Sequence, residues 1–321
     1  MIKKKRVFRI GREVIKPGER KIVQLDVAAL YDYTSLSIPI EVIRGKKSGP
    51  VLFVCAAIHG DEINGVEIIK RMLRSSFLSQ INGTLIAVPV VNVFGFNNRS
   101  RYLPDRRDLN RSFPGRKDGS LASRLAQTFM KEVVNKCTHG IDLHTGAIHR
   151  SNIPQIRANL DEPETKRLAA GFGVPVVIHS GLRDGSLREA ARRKNIPMLL
   201  FEGEQALRFE ENVIQAGYKG IFRTMQRIGM FSKGRFKVPT KGRKPFVAKS
   251  SAWIRAPHSG SFQSLKKLGE PIRKGDVLGM ISDPFGREVY EVYADQKGVL
   301  VGQSEIPLVN QGDAMFHIAS L

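Results

Sequence analysis

A histidine and a glutamate three positions apart, in His59-Gly60-Asp61-Glu62, stand directly after the apolar run at residues 51–58. At a helix start such residues share one face, so the imidazole and the carboxylate can both reach one metal ion. With one more histidine they make a nitrogen and oxygen donor set that suits zinc and leaves it an open position for water, and the chemistry on offer is hydrolysis. Acidic residues also begin ordinary helices, where they offset the dipole, and on the tetrapeptide alone that bland account stands. Three other segments weigh against it. Asp142-Leu143-His144-Thr145-Gly146 offers the second histidine, with His139 and His149 as rivals to His144. Asp142 lies two residues before His144 on a strand, hence on the same face, and suits a hydrogen bond to a ligand better than coordination. Arg107-Asp108-Leu109-Asn110-Arg111-Ser112-Phe113-Pro114-Gly115 is a polar loop with a guanidinium and an amide, and the strand-like residues 197–201 end on Glu202-Gly203-Glu204. Arg157 reads equally as a surface arginine or as a carboxylate binder.

The elements that must position these groups follow from the apolar pattern. Strand-like runs at 51–57, 84–91, 140–144, 174–179 and 197–201 alternate with helical patterns at 62–73, 121–134, 162–171, 186–194 and 210–228. That alternation predicts an α/β fold with a mostly parallel or mixed sheet flanked by helices. In open sheets of this kind the ligand crevice lies outside the carboxyl ends of the strands, where each candidate segment sits. Pro114-Gly115 breaks the second crossover and makes residues 97–117 a long loop, a length that is often functional. Residues 1–45 add edge strands to a domain spanning 1–235. A basic linker is expected at 236–249, and glycine-punctuated short runs make 250–321 a separate small all-β domain.

With 321 residues and 41% hydrophobic content the chain can bury a large core. Its longest apolar runs, roughly eight residues, fall short of a bilayer span, and the first ten residues lack the apolar stretch of a signal peptide, so a cytoplasmic location is expected. Cys55 and Cys137 fit two free thiols in a reducing compartment. The net charge of +22 attracts anions, and it is concentrated in part at residues 3–6 and 233–249. Solvated surface explains these runs; contact with a polyanion such as RNA or an acidic peptide is the sharper alternative. Aromatics, at 7%, are not interleaved with the basic runs as stacking on RNA would require.

The His-Gly-Asp-Glu, Asp-Leu-Asn-Arg-x-Phe-Pro-Gly, Asp-Leu-His-Thr-Gly and strand-Glu segments, in this order, resemble the succinylglutamate desuccinylase and aspartoacylase family over about residues 50–230. That family's fold is similar to the zinc carboxypeptidases. The resemblance implies one zinc ion on His59, Glu62 and His144, a catalytic carboxylate at Glu202, and substrate-binding groups at Asn110, Arg111 and Arg101. The chain departs from the family's Glu-x-Gly-Glu: aligning on residues 206–209 keeps Glu202 in place and puts Gln205 where the second glutamate would fall, leaving Glu204 without a role. The glycine spacing of 250–321 resembles the barrel-sandwich of biotinyl and lipoyl domains, without a Met-Lys-Met tip. The implied activity is zinc-dependent hydrolysis of an N-acyl amino acid amide. Trimming of acidic peptides by the same residues, or a non-catalytic RNA- or ribosome-binding role, are the alternatives.

Overall fold

The computed structural model describes residues 7–232 and 244–321, so residues 3–6 and most of the basic stretch 233–249 lie outside the described residues. The chain begins with a hairpin of β1 (Phe8–Ile10) and β2 (Glu13–Ile15), then the long antiparallel pair β3 (Arg20–Ala29) and β4 (Ser35–Arg44). β5 (Val51–Ala56), α1 (Asn64–Leu73), β6 (Thr84–Val88), α2 (Val93–Asn97), α3 (Leu121–Glu132) and β7 (His139–Gly146) follow. Next come β8 (Arg150–Asn152), β9 (Gln155–Ala158), α4 (Pro163–Phe172), β10 (Val176–His179), α5 (Leu187–Arg192), β11 (Met198–Gln205) and α6 (Glu211–Arg227). Beyond the gap lie β12 (Phe246–Ala248), β13 (Ser250–Arg255), β14 (Gly260–Ser264), β15 (Pro271–Ile272), β16 (Val277–Ser282), β17 (Val289–Tyr293), β18 (Gly298–Ser304), β19 (Leu308–Val309) and β20 (Ala314–Ser320).

Nine strands form one mixed sheet in the order β12-β10-β9-β11-β7-β5-β6-β4-β3. β6, β5, β7 and β11 run parallel, as the alternating pattern predicts, and β9 opposes β11. β3 and β4 supply one edge, as expected for the first 45 residues. Both faces are covered, which is why the central strands read as unbroken apolar runs. Leu52 and Val54 of β5 pack with Ile68, Phe172 and Phe222 of α1, α4 and α6, whereas Phe53 and Cys55 meet Leu125, Phe129 and Leu187 of α3 and α5. Cys55 and Cys137 are buried free thiols. Among the described residues no helix is long and apolar enough to cross a membrane.

The C-terminal strands make two antiparallel sheets, β13-β20-β18-β15 and β17-β16-β14-β19, closed over a core that includes Phe262, Leu278, Leu300 and Phe316. Two features depart from the expected linker and independent small domain. Phe246–Ala248, inside the stretch 236–249, is a strand that pairs in parallel with β10 of the main sheet. β8, from the middle of the chain, pairs with β18 and becomes the outer strand of the C-terminal sheet. Val301 and Ala319 of that sheet also bury themselves against Val176, Ile178 and Ala248.

Candidate active site

His59 to Glu62 form a turn ahead of α1 rather than its first residues, with the Glu62 amide donating to the His59 carbonyl (3.1 Å). The proximity expected from a helix start is therefore made by a tighter device. Gly60 is required for it, because a Cβ there would lie 2.0 Å from the Gly95 carbonyl carbon in α2. The turn aims His59 and Glu62 at the end of β7, where His144 emerges, and all three side chains are buried.

The three converge tightly. Glu62 Oε1 lies 2.6 Å from His59 Nδ1, and Oε2 lies 2.7 Å from His144 Nδ1 while also accepting the Thr145 amide at 3.1 Å. One ligand atom from each residue lies within 4.8 Å of the others. Behind each imidazole stands a carboxylate: Asp108 is 3.1 Å from His59 Nε2, and Asp142 is 2.7 Å from His144 Nε2. With Nε2–H donated to those partners, each ring presents Nδ1 inward towards Glu62, the arrangement that metal-bound histidines use. In that tautomer the two Nδ1 lone pairs and the carboxylate are all acceptors that a cation would satisfy, and the nitrogen and oxygen donor set suits zinc. Burial alone would lower the two histidines, but Glu62 with Asp108, and Asp142 with Glu62, outweigh it and hold His59 and His144 above the usual imidazole range. The same imidazoles overcome burial and hold Glu62 far below the usual carboxylate range.

The other expected residues surround this cluster in a cleft of about 690 Å³. Glu202 stands on β11 directly across from His144 of β7 and Gln155 of β9. Its carboxylate accepts from Asn152 Nδ2 (2.9 Å) and from the Arg157 guanidinium (3.3 Å). Arg157 is thus a carboxylate binder, with the chain's own Glu202 as its partner here. Asn110 and Arg111 line the cleft from a 3-10 turn at Leu109–Arg111 that Asp108 caps, and Asn110 Oδ1 accepts the Leu187 amide at 2.9 Å. Arg101 reaches the cleft with its guanidinium on Glu62 (3.3 Å) and Asp108 (2.9 Å), so it braces the cluster of His59, Glu62 and His144. Glu204 follows a register break, sits at φ 52° and does not line the cleft. His139 lies at the far end of β7 beside Glu164, and His149 is on the cleft wall; neither joins the converging trio.

Several residues of the site were not singled out from the sequence. Asp108 was legible only as part of its loop, although its position two residues before Asn110 is an ordinary capping pattern. Asn152, Arg183 and Arg188 carry no local signature. Arg188 is buried, donates to Ser180 and the Gly181 carbonyl, and is pushed by burial down to about 10. Trp253 and Asp313 close the cleft from the C-terminal sheets.

Comparison with known proteins adds to this geometry. The profile of the succinylglutamate desuccinylase/aspartoacylase catalytic domain matches residues 48–228. The chain belongs to this family. It is 26% identical over 298 residues to the N-alpha-acetyl-L-2,4-diaminobutyric acid deacetylase of Halomonas elongata, covering 89% of this chain and 86% of that relative. The succinylglutamate desuccinylase of Pseudomonas aeruginosa is 28% identical over 158 residues, 45% of each chain. Among solved structures, the product-bound ectoine utilization protein EutE (DoeB) from Ruegeria pomeroyi superposes with a TM-score of 0.83 at 22% identity, covering 94% of this chain and 95% of that one. A family structure from Rhodobacter sphaeroides gives 0.82 at 22% identity and 94% coverage of each. These likenesses establish the fold along nearly the whole chain, including the C-terminal sheets.

Proposed function

We propose that this protein is a zinc-dependent N-acyl amino acid deacylase, which hydrolyses the amide between an acyl group and the nitrogen of a carboxylate-bearing amino acid. The observation that carries this reading is the inward convergence of His59, Glu62 and His144 beside the carboxylate of Glu202. Relatives in the same family bear the names deacetylase and desuccinylase, whose shared chemistry is removal of an acyl group from an amino acid nitrogen.

His59 Nδ1, His144 Nδ1 and Glu62 would hold the ion. When bound, zinc supplies Lewis acidity, which polarises a carbonyl and makes water more acidic. Glu202 takes a proton from the attacking water and returns it to the departing nitrogen, without which an amide leaves poorly. Asn152 and Arg157 keep that carboxylate in place between these two transfers. Arg111 grips the substrate carboxylate through two parallel hydrogen bonds. Asn110 assists through its Nδ2, since its Oδ1 is committed to Leu187. Arg183 and Arg188 add positive charge to the same cleft, which suits an anionic substrate.

The test is a screen of zinc-loaded protein against N-acetyl amino acids, N-succinyl amino acids and oligoglutamate. Release of free amino acid from an N-acyl substrate is expected. Cleavage of oligoglutamate alone, or of nothing in fully zinc-loaded protein, would overturn the proposal.

A further inference from the structure

The C-terminal sheet does more than cover the cleft, because the residue that holds Glu202 belongs to it by pairing. Asn152 ends β8, whose partners are Gly302, Gln303 and Ser304 of β18. The row continues from Gly302 to His317 of β20 and from His317 to Trp253 of β13. The neighbouring backbone is gripped the same way, with the Ile153 amide on the Val301 carbonyl (3.1 Å) and the Glu305 amide on the His149 carbonyl (2.8 Å). The Arg150 guanidinium sits 5.2 Å over the Trp253 ring, which stacks on His317 at 4.7 Å.

Gly302 is the narrow point of this row. A Cβ there would lie 2.3 Å from Asn152 Oδ1 and 3.3 Å from His317 Cβ. No left-handed backbone conformation requires glycine at this position, so the demand is for space alone. Asn152 is buried, and its Oδ1 has no hydrogen-bond partner among the described residues, so on that side the amide is bounded by the open face of Gly302 rather than by a hydrogen bond. Its Nδ2, on the opposite side of that amide, is the donor to Glu202 at 2.9 Å.

We infer that Gly302 and Asn152 are positioning residues through which the C-terminal sheet sets the carboxylate of Glu202. The inference rests on the reading of Glu202 as the acid–base group, and it makes the C-terminal unit part of the reacting centre although it touches none of the reacting atoms. Any side chain at 302 displaces the amide of Asn152 and leaves Glu202 with Arg157 alone.

The test compares Gly302→Ala, Asn152→Ala and the double variant, each with its zinc content measured. Gly302→Ala should lower kcat roughly 10- to 100-fold, within what a general acid–base group contributes, with KM and zinc content unchanged. Asn152→Ala should lower kcat similarly, and the double variant no further, since an alanine at 152 leaves nothing for the new methyl to push. Wild-type kcat in Gly302→Ala, a change confined to KM, or losses that multiply in the double variant would overturn the inference. A crystal structure of Gly302→Ala supplies a readout without substrate: Asn152 Nδ2 should lie beyond hydrogen-bond distance of Glu202, and an unmoved amide contradicts the inference. Should that variant not fold, an unchanged kcat in Asn152→Ala overturns it as well. A wild-type enzyme that deacylates nothing would sink the proposed function, whereas the crystal structure still judges the positioning.

Discussion

His144 is held between two carboxylates, and the two contacts do different work. Glu62 faces the lone pair that a metal would take, while Asp142 receives the proton on the other nitrogen and so fixes the tautomer. Asp142→Asn should therefore leave the fold intact and weaken zinc binding about 10- to 100-fold, measured by competition against a chelator; unchanged affinity would mean that Asp142 is only a packing residue. Glu202→Gln should retain zinc and lose about 10²–10⁴-fold in turnover, and Glu204→Gln should do far less, since Glu204 lies off the cleft. A larger loss in Glu204→Gln, in a side-by-side rate assay, would shift the acid–base role by two residues. His59, Glu62, His144, Glu202, Asn110 and Arg111 could be proposed from the sequence because they lie in four short segments that are specific together, in this order, where no one of them is alone. Asp108 and Asn152 were not. Their partners, at positions 59 and 202, meet them only once loops and strands from distant segments are folded together.

At the scale of elements, the central strands and all five long helical patterns were readable, because burial on both faces leaves unbroken apolar runs and one covered helix face leaves a regular period. β8, β9 and β12 were missed for the opposite reason. Gln155 and Arg157 of β9 are polar residues on a strand, and they are tolerated there because one stands beside Glu202 and the other pairs with it. β20 gives a prediction of its own. Burial pushes His317 down to about 3 from 6.5, with the Arg157 charge acting in the same direction. The folded protein then keeps this imidazole neutral over a range in which the unfolded chain protonates it, so stability is lost as pH falls below about 6.5 and levels off only near pH 3. Urea midpoints across this range should fall less steeply in His317→Phe, which preserves the stack on Trp253. Parallel curves for the two proteins would show that His317 is not a source of acid sensitivity.

The whole molecule is a cleft between a nine-stranded sheet and a β unit that reaches back into it, carrying a net charge of +22. Of its densest runs, residues 3–6 and most of 233–249 lie outside the described residues, but the cleft itself is lined by Arg101, Arg111, Arg150, Arg157, Arg183 and Arg188. An anionic substrate should feel this field as a screened attraction acting over about 8–10 Å at physiological salt. kcat/KM for an N-acyl amino acid should accordingly fall as sodium chloride is raised, with kcat nearly constant; a flat profile would assign the excess charge to other purposes. The catalytic expectations depend on one ion in one place. The most direct measurement is a titration of metal-stripped protein with zinc, following hydrolysis of an N-acyl amino acid in wild type and in His144→Ala. Activity should rise to a break at about one zinc per chain, as a three-ligand catalytic site requires, and should not appear in the variant. Full activity in the stripped protein, or wild-type zinc binding by His144→Ala, would contradict the assignment of His59, Glu62 and His144 as the metal site.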